Sequence, residues 1–531
     1  MLFRSENFDA TTDPNTWFAN GLIKSTVNPT QDITGFSWKR GVPTGAKIKA
    51  STTNGGAWST TGNANTFYPN ERSYVESPCF NFSDPTLTKP IISMKVWYDT
   101  DRGSDGAVLY SSINDGITWN VVGTINEGIE WYNTAGIIAQ PGGQSVVNAW
   151  TGNTFTEYKI AKFNLDQFKG LPSVRFRVAF GSNADNPVGT TFDGFAFDEV
   201  FIGNRNRISL LEHFTNASSS EANTENTVIN NFPSGLPQNE IYNIQYHTNV
   251  PGADPMNADN TAVPSARALF YGVSQVPRTA IDGAIENRKF SEWGTPVYNK
   301  RTLEASPFEL SVDFSSTAQQ LRFKANVKAL EPFTRRVILH TVVIEQEILG
   351  TAFTGGNFGG LTFKNVVKGM IPNASGTLIA QTWLQNTQFQ TGELVWANVP
   401  KIYNGNKLVL VVFVQDEVTK EIYQAGFFNI TTNISAQDPT TALDPQTLEN
   451  EFVVYPNPAQ NEVFTGFREE TAEDFKVVIF DSYGKRLDTF SLTKGNKGLL
   501  LNTEKYASGM YFVEITGKNN SKARRKLVIA R

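Results

Sequence analysis

Three consecutive serines, Ser218 to Ser220, stand in a short loop that could carry nucleophilic chemistry. The loop lies between an apolar run, ISLLEHF, and a polar stretch of helical character, SSEANTENTVINNF. A serine hydroxyl becomes a nucleophile when a neighbouring base such as histidine takes its proton. His213 and His247 are the candidate bases, but the chain has no G-x-S-x-G motif. The sequence therefore gives no support to a hydrolytic relay at Ser219.

The chain contains one cysteine, Cys79, and three histidines that are far apart in sequence. A single thiol cannot form an intramolecular disulfide, a cysteine zinc site or a dithiol redox pair. Widely separated histidines also argue against a histidine-rich metal centre. We expect Cys79, between Pro78 and Phe80, to behave as a buried small apolar residue.

The length of 531 residues exceeds what one hydrophobic core organises, so we expect about three or four domains. Abundant Gly and Pro (42 and 25 residues) and 12% aromatic residues favour a β-rich architecture with many turns. The net charge of −5 provides no global basic field, so we predict neither nucleic acid nor anionic membrane as a partner. No run of eighteen apolar residues occurs, so we predict no membrane span.

The hydrophobic pattern divides the chain into four sections and a linker. Residues 1–205 contain strand-like runs separated by Gly, Asn and Asp turns, which predicts a jelly-roll β-sandwich. In residues 206–303 strands alternate with helical stretches, which predicts a small α/β domain. Residues 304–432 return to the alternation of an antiparallel β-sandwich. Residues 433–450 form a linker rich in Thr, Pro and Asp, and a compact set of short strands follows in residues 451–531.

The first section contains the stretches ENFD, SYVESPCFNFS and DGFAFDEVFIG. On these stretches it resembles the MAM-like, jelly-roll modules of large secreted proteins. Related sandwiches bind a structural Ca²⁺ between the first and last strands, and Glu6, Asp9 and Asp198 are hard oxygen ligands at the corresponding edges. The alternative is that these carboxylates are exposed and cap turns. No other cofactor is expected.

Two further features of this section invite a carbohydrate interpretation. Residues 112–119, SINDGITW, match the Asp-box pattern that recurs once per blade in sialidase propellers. A single copy indicates a hairpin turn locked by its Ser, Asn and Trp rather than a glycosidase. Trp131, Tyr132 and Trp150 could stack on a sugar or could be core residues, as aromatics in β-sandwiches usually are.

The middle of the chain, residues 207–432, resembles a Bacteroidota outer-membrane protein family with a thioredoxin-like core followed by a β-sandwich. LLEHFTNAS, IQYHTNVPGADPMN and ARALFYGVSQVPRTAIDG carry the resemblance, with FKNVVKGMIP and LVVFVQDEVTKEIYQA further on. Members often have a CxxC pair after the FTNAS-like loop, and here those positions fall on Ser219 and Ala222. Pro277 stands where such folds place a cis-proline facing the loop. Redox exchange needs two thiols, so the resemblance implies a thioredoxin-like scaffold without thioredoxin chemistry.

The last section carries the most specific pattern in the chain. Its turn residues are the prolines around Asn457, the DSYGK hairpin of residues 481–485, and the ASG of residues 507–509 before the strand MYFVEIT. Pro cannot donate to a sheet ladder, and Gly supplies a positive φ in a hairpin. On physical grounds alone this is a small all-β module.

The combination closely resembles the type A sorting domain of the type IX secretion system of Bacteroidota. The matching residues are Pro456, Asn457, Pro458, Gly484, Lys485, Gly509, Tyr511 and Lys526. The resemblance implies an Ig-like domain that directs export across the outer membrane, with the translocon and its outer-membrane shuttle protein as partners. The protein would then be secreted or held at the cell surface.

Charge and the N-terminus bear on this interpretation. Residues 451–531 carry 13 basic and 10 acidic residues, a net charge of +3, whereas the rest of the chain carries −8. The run KARRK at residues 522–526 could contact the secretion machinery or could be a solvated hairpin arm. The N-terminal segment lacks the apolar core of a signal peptide, so we expect the sequence to be a processed or truncated form.

Two functions of different classes remain. The first is a non-enzymatic exported protein that acts by binding or adhesion, with a glycan or a protein as its surface ligand. The second is an envelope enzyme, either a cryptic hydrolase or a redox protein that uses Cys79, for which the sequence shows no catalytic set.

Overall fold

A computed structural model describes residues 4–9, 17–53, 55–145, 148–154, 156–184, 191–237, 239–317, 320–353, 358–396, 402–430, 451–467, 470–471, 473–481, 485–517 and 522–530. The chain is multidomain and mainly β, as predicted, with six sheets in three sections. The predicted linker, residues 433–450, lies outside the described residues.

The N-terminal section consists of two six-stranded antiparallel sheets. The strands are β1 (Arg4–Glu6), β2 (Phe18–Lys24), β3 (Asp32–Thr34), β4 (Lys39–Gly41), β5 (Ala57–Ser59), β6 (Arg72–Glu76), β7 (Pro90–Asp99), β8 (Gly106–Ser112), β9 (Asn120–Val121), β10 (Lys159–Asn164), β11 (Arg175–Gly181) and β12 (Gly194–Asn204). One sheet has the order β10-β7-β12-β5-β4, with β1 also paired to β12, and the other β3-β2-β6-β11-β8-β9. A core rich in aromatic residues lies between them, with contributions such as Val96 and Phe197 from one sheet and Val75 and Val178 from the other. The section is a β-sandwich; its jelly-roll and MAM-like classification remains a prediction.

The middle section is built on one nine-stranded sheet with helices along it. Its strands are β13 (Ser209–Thr215), β14 (Ile241–His247), β15 (Arg278–Ile281), β16 (Ala284–Ile285), β19 (Val337–Leu349), β20 (Thr362–Ile371), β21 (Thr377–Ile379), β24 (Leu408–Asp416) and β25 (Ile422–Asn429). The helices are α1 (Ser220–Asn231), α2 (Pro255–Asp259), α3 (Ala262–Tyr271) and α4 (Phe290–Arg301). The order is β16-β15-β13-β14-β20-β19-β24-β25, and β21 pairs with β19. Strand β13 runs parallel to β14 and antiparallel to β15.

This sheet crosses the boundary that we predicted at residue 303. Strand β14 pairs in parallel with β20 at Gln245 and Val366, so residues 206–303 and 304–432 share one sheet. A second, four-stranded sheet contains β17 (Phe308–Thr317), β18 (Gln320–Ala329), β22 (Gln388–Gln390) and β23 (Leu394–Trp396). It shares a hydrophobic core with β19 and β24. The predicted sandwich of residues 304–432 therefore uses as one of its layers the sheet that the α/β part extends.

The C-terminal module is an Ig-like sandwich of seven described strands. A three-stranded sheet has the order β26-β27-β30, with β26 (Val453–Tyr455), β27 (Glu462–Gly466) and β30 (Gly498–Asn502). A four-stranded sheet has the order β29-β28-β31-β32, with β28 (Phe475–Asp481), β29 (Arg486–Leu492), β31 (Gly509–Thr516) and β32 (Lys522–Ile529). Alternate residues of both sheets, among them Val463, Leu501, Val477 and Val513, fill the core.

Candidate functional site: the closing strand of the C-terminal module

The motif residues of the C-terminal module meet at its last strand, β32. This strand lies at one end of the four-stranded sheet and pairs antiparallel with β31. In that pairing Gly509 stands opposite Ile529 and Tyr511 opposite Leu527. The GMY motif, residues 509–511, therefore lies in the strand that sets the register of the last strand.

The PNP segment contacts β32 from the opposite side. The Asn457 side chain donates from Nδ2 to the Lys526 carbonyl oxygen (2.6 Å) and accepts at Oδ1 from the Val528 backbone N–H (2.8 Å). The Ala459 N–H then donates to the Val528 carbonyl oxygen (2.8 Å). Both proline peptides, Tyr455–Pro456 and Asn457–Pro458, are cis. Because prolines have no backbone N–H, the Asn457 carboxamide supplies the donor and acceptor that a peptide group would offer to the edge of β32.

The remaining motif residues also close turns. Gly484 lies outside the described residues. The Lys485 backbone N–H donates to Asp481 Oδ1 (2.9 Å), and the Asp481 N–H donates to the Lys485 carbonyl oxygen (3.0 Å). The Tyr511 hydroxyl donates to the Ala507 carbonyl oxygen (2.9 Å), which fixes the turn before β31. The side chains of Lys485 and Lys526 are exposed, as are residues 456–458 and Gly509, so a partner could touch all of these directly.

The serine loop of the middle section holds no activated nucleophile. Ser219 is the N-cap of α1, where its Oγ accepts a hydrogen bond from the Ala222 backbone N–H (3.2 Å). The two positions at which the resemblance would place a CxxC pair thus contact each other through a helix cap. Ser218 Oγ donates to Asn216 Oδ1 (2.6 Å). Pro277 immediately precedes β15, and the Val276–Pro277 peptide is cis.

A buried polar network binds this loop to the segment that follows β14. Asn216 Nδ2 donates to the carbonyl oxygens of Thr248 and Gly252, both at 2.7 Å. Asp254 Oδ2 accepts from the Ala217 N–H (2.6 Å) and lies 2.8 Å from His247 Nδ1. Burial acts to raise the pKa of Asp254, but the charge and hydrogen bond of His247, with backbone N–H groups, outweigh it and hold the pKa below its usual range. The network fixes the ends of β13 and β14 and leaves their side chains inaccessible.

The histidines do not form a relay with the serines. His213 Nδ1 bonds to Thr279 Oγ1 and its Nε2 to Asn226 Oδ1, both at 2.8 Å. Burial lowers the pKa of His213 to about 4, so the ring is neutral near pH 7. His247 turns its ring edge-on to Phe363, with 5.6 Å between centroids. Neither histidine bonds to a serine hydroxyl.

The structure does not assemble the three carboxylates for which we predicted Ca²⁺. Among the described residues, no group of three or more His, Cys, Asp or Glu side chains is placed to hold a metal ion. Asp198 is fully buried, and its Oδ2 accepts from the Thr52 backbone N–H (3.0 Å) and hydroxyl (2.6 Å). Asp9 bonds to Thr53 and Asn7, and Glu6 accepts from the Phe8 N–H. Loop hydroxyl and amide groups bond to these oxygens in the structure, and the calcium site stays a prediction.

Of the two alternatives for the aromatic residues of this section, the structure supports a place in the core and contradicts a platform for stacking on a sugar. Trp131, Tyr132 and Trp150 are 2%, 4% and 1% exposed and pack against one another in the core. The SINDGITW turn is locked as expected: Gly116 N–H donates to Ser112 Oγ (2.9 Å) and Trp119 Nε1 to the Gly116 carbonyl oxygen (3.0 Å). Cys79 is half-buried, with Sγ 3.0 Å from Ser173 Oγ.

Comparison with known proteins identifies a family for the C-terminal module. Residues 453–530 match the family of secretion system C-terminal sorting domains. The protein is accordingly a cargo that is exported across the outer membrane, to the cell surface or into the medium, and the type IX secretion system is the route that the sorting domain supports. No helix among the described residues is long and apolar enough to cross a membrane.

Other comparisons add nothing about activity. No curated protein sequence matches the chain. A domain of the outer membrane lipoprotein Omp28 from Porphyromonas gingivalis is similar at 16% identity and a TM-score of 0.18, over 25% of this chain and 93% of that one. A β-glucosidase from Kluyveromyces marxianus (10% identity, TM-score 0.17, 80% and 52% covered) and a β-glucuronidase from Bacteroides uniformis (8%, 0.16, 77% and 29%) are also similar. The chain thus spans about half of the glucosidase and under a third of the glucuronidase. At these TM-scores the similarities identify neither fold nor function.

Sequence reasoning found the turns of the sorting domain but missed what they hold. The contacts of Asn457 with the last strand join residues about 70 positions apart, and no local sequence pattern predicts them. The Asp254 network was missed as well, although Asp before Pro at a helix start is a recognisable cap signal. Asp254 indeed caps α2, accepting from the Met256 and Asn257 backbone N–H groups.

Proposed function

We propose that the protein is a non-enzymatic cargo whose sorting domain is recognised, as a folded surface, by the type IX translocon and its outer-membrane shuttle protein. The rest of the chain would then act outside the outer membrane by binding a glycan or a protein. The observation that carries the first part is the convergence of the PNP segment and the GMY strand on β32.

Recognition of a folded surface follows from how the motif residues are used. The Asn457 carboxamide and the Tyr511 hydroxyl are both engaged with backbone groups inside the module. A group that is already hydrogen-bonded offers little to a partner, because the partner would have to replace that bond. The motif therefore shapes the surface, and the export machinery reads the surface.

The proposal of a binding role rests on how the candidate catalytic groups are engaged. His213, His247 and His340 are all buried, whereas a general base must reach the proton that it removes from a substrate. Ser219 caps a helix. The arrangement around this loop, with β13 between β14 and β15, supports a thioredoxin-like scaffold kept for shape.

Export is tested first by truncation in a Bacteroidota host. Deleting residues 452–531 from the full chain should leave the protein in the periplasm. A reporter placed behind a signal peptide and fused to residues 433–531 should appear outside the cell, and should stay inside a strain that lacks the translocon. Equal external signal in both strains would overturn the export proposal.

The absence of catalysis is tested on the purified exported protein. We expect saturable binding to cells or to a glycan or protein array, with no turnover of glycoside, peptide or disulfide substrates. Turnover that is abolished by Ser219→Ala or Cys79→Ala would refute the non-enzymatic role.

A further inference from the structure

The four-stranded sheet of the sorting domain has an outer face that combines basic and apolar side chains. Successive side chains of a strand point to opposite faces. Since Val477, Val513 and Leu527 lie in the core, their neighbours along β28, β31 and β32 point outward. The outward cations are Lys476, Lys522, Arg524 and Lys526.

The positive charge of this face is only partly neutralised. Glu514 is the acidic residue on the outward side of these three strands, and it is 9% exposed. Its carboxylate lies 2.7 Å from Arg524 Nη2 and 3.2 Å from Lys522 Nζ. Lys476 and Lys526 are exposed and form no ion pair with a residue that the structure describes. The face therefore offers two uncompensated cations beside a pair that is already held in place.

Apolar side chains form the floor between these cations. Phe480, Phe512 and Lys526 stand side by side across three strands. The Arg524 guanidinium lies 5.0 Å from the ring centroid of Phe480 and 5.9 Å from that of Phe512, so cation–π contacts hold it over the floor. Met510, one pair further along β31, is 44% exposed. Aromatic, Met and Arg side chains are the types enriched in protein interfaces.

We infer that this outer face is the docking surface of the sorting domain, and that it fits an acidic protein surface of the export machinery. The inference rests on the proposed export function and adds the face and the partner chemistry to it. Complementary charge would guide the encounter, and the apolar floor would supply the buried contact area. An acidic protein is favoured over an anionic lipid headgroup because the half-buried rings and the exposed Met510 form a flat apolar surface across the sheet rather than an edge that could insert into a bilayer.

The test reverses the two uncompensated cations in the full-length protein. Lys476→Glu with Lys526→Glu should reduce the exported fraction about tenfold or more, because like charges placed opposite each other in an interface cost several kcal/mol. Lys476→Arg with Lys526→Arg keeps both positive charges, so this variant should be exported like the wild type. The matched control reverses Lys494 and Lys497, which lie on the same module in the turn between β29 and β30, and should export normally. Thermal unfolding of all variants should match the wild type, since exposed substitutions change stability little.

A photo-crosslinker in place of Met510 should capture a protein of the export machinery in cells, and the glutamate pair should abolish the adduct. Normal export of the glutamate pair, while deletion of residues 452–531 blocks export, would overturn the docking surface and leave the export function standing. Export after that deletion would overturn both. An adduct with the protein's own N-terminal sections would also overturn the proposal. The proposal would also be overturned if no protein adduct formed and the wild type bound phosphatidylglycerol vesicles while the variant with Lys476→Glu and Lys526→Glu did not.

Discussion

The loop after β13 and the closing strand of the sorting domain both use polar side chains to hold the backbone, but only the second belongs to a region that matches a known family. In the loop, Ser219 and Ala222 stand where the resemblance would place a thiol pair. In the sorting domain the motif side chains of Asn457 and Tyr511 bond to backbone groups of the module. A motif of reactive groups can lose its function and leave the fold intact, whereas a motif of structural groups loses both together. The polar side chains of the first region are engaged inside the fold, and we propose that the function of the second lies in the surface that the motif holds.

The largest effect is expected where the frame of the middle section depends on a buried charge. Glu212 accepts from Arg267 Nη2 at 2.6 and 2.8 Å and from the hydroxyls of Tyr246 and Tyr271. Glu212→Gln leaves the Arg267 guanidinium buried without its counter-charge, which should cost about 3–5 kcal/mol. Urea unfolding of the variant measures the loss.

The exposed pair Glu309 and Lys328 provides the control, since Glu309→Gln should change stability by less than about 1 kcal/mol. A similar small effect of Glu212→Gln would mean that the frame is held elsewhere. The buried pair of Glu212 and Arg267 would then not be a main source of the stability of the middle section.

Acid should weaken the same frame through His213. Its pKa is about 4 in the folded protein, below the ordinary 6.5. Between these values the unfolded chain binds a proton that the folded chain does not, so stability falls as the pH drops from about 6.5 to about 4, by about 3 kcal/mol in full.

Burial also lowers the pKa of His340, so the wild-type slope contains both histidines. Comparing the urea midpoints of wild type and His213→Gln at pH 7 and pH 4.5 isolates the contribution of His213. An NMR titration that placed the pKa of His213 at or above 6.5 would contradict the expectation, even if the variant failed to fold.

In the sorting domain, Asn457→Ala tests whether the motif is structural. It removes two hydrogen bonds to β32 and should cost about 1–2 kcal/mol, with a parallel decrease of export. Gln460→Ala, at an exposed position nearby, should change neither quantity. Loss of export with full stability would show that the Asn457 side chain is itself read by the partner, which would invert the comparison.

The smallest effect is expected at the helix cap. Ser219→Ala should cost about 1 kcal/mol and Ser219→Gly only a few tenths, because glycine is the better N-cap. Replacing both Ser219 and Ala222 by Cys should give a disulfide under oxidising conditions if the loop keeps thioredoxin geometry. Two free thiols beyond Cys79 after oxidation would show that the loop has lost that geometry as well.

Local patterns in the sequence predicted the mainly β architecture and the turns of the sorting domain, because prolines and glycines restrict the backbone wherever they stand. They did not predict which face of each strand is buried, or which element that face packs against. No local pattern distinguished Trp131 and Trp150 from surface aromatic residues, and the packing of the folded section places both in the core. The Asp198 carboxylate accepts a hydrogen bond from Thr52, 146 residues away, and hydrophobic periodicity contains no information on such pairs.

The pairing of β14 with β20 also governs the order in which the chain can fold. Until residues beyond Val366 are available, β14 has β13 on one side and an open hydrogen-bonding edge on the other. Contacts this distant in sequence close slowly, and open strand edges invite pairing with other chains. A chain that emerges from its N-terminus through a membrane channel would expose that edge for more than a hundred residues of travel, about the distance from Gln245 to Val366. The nine-stranded sheet thus stays open at β14 until the chain has supplied β20.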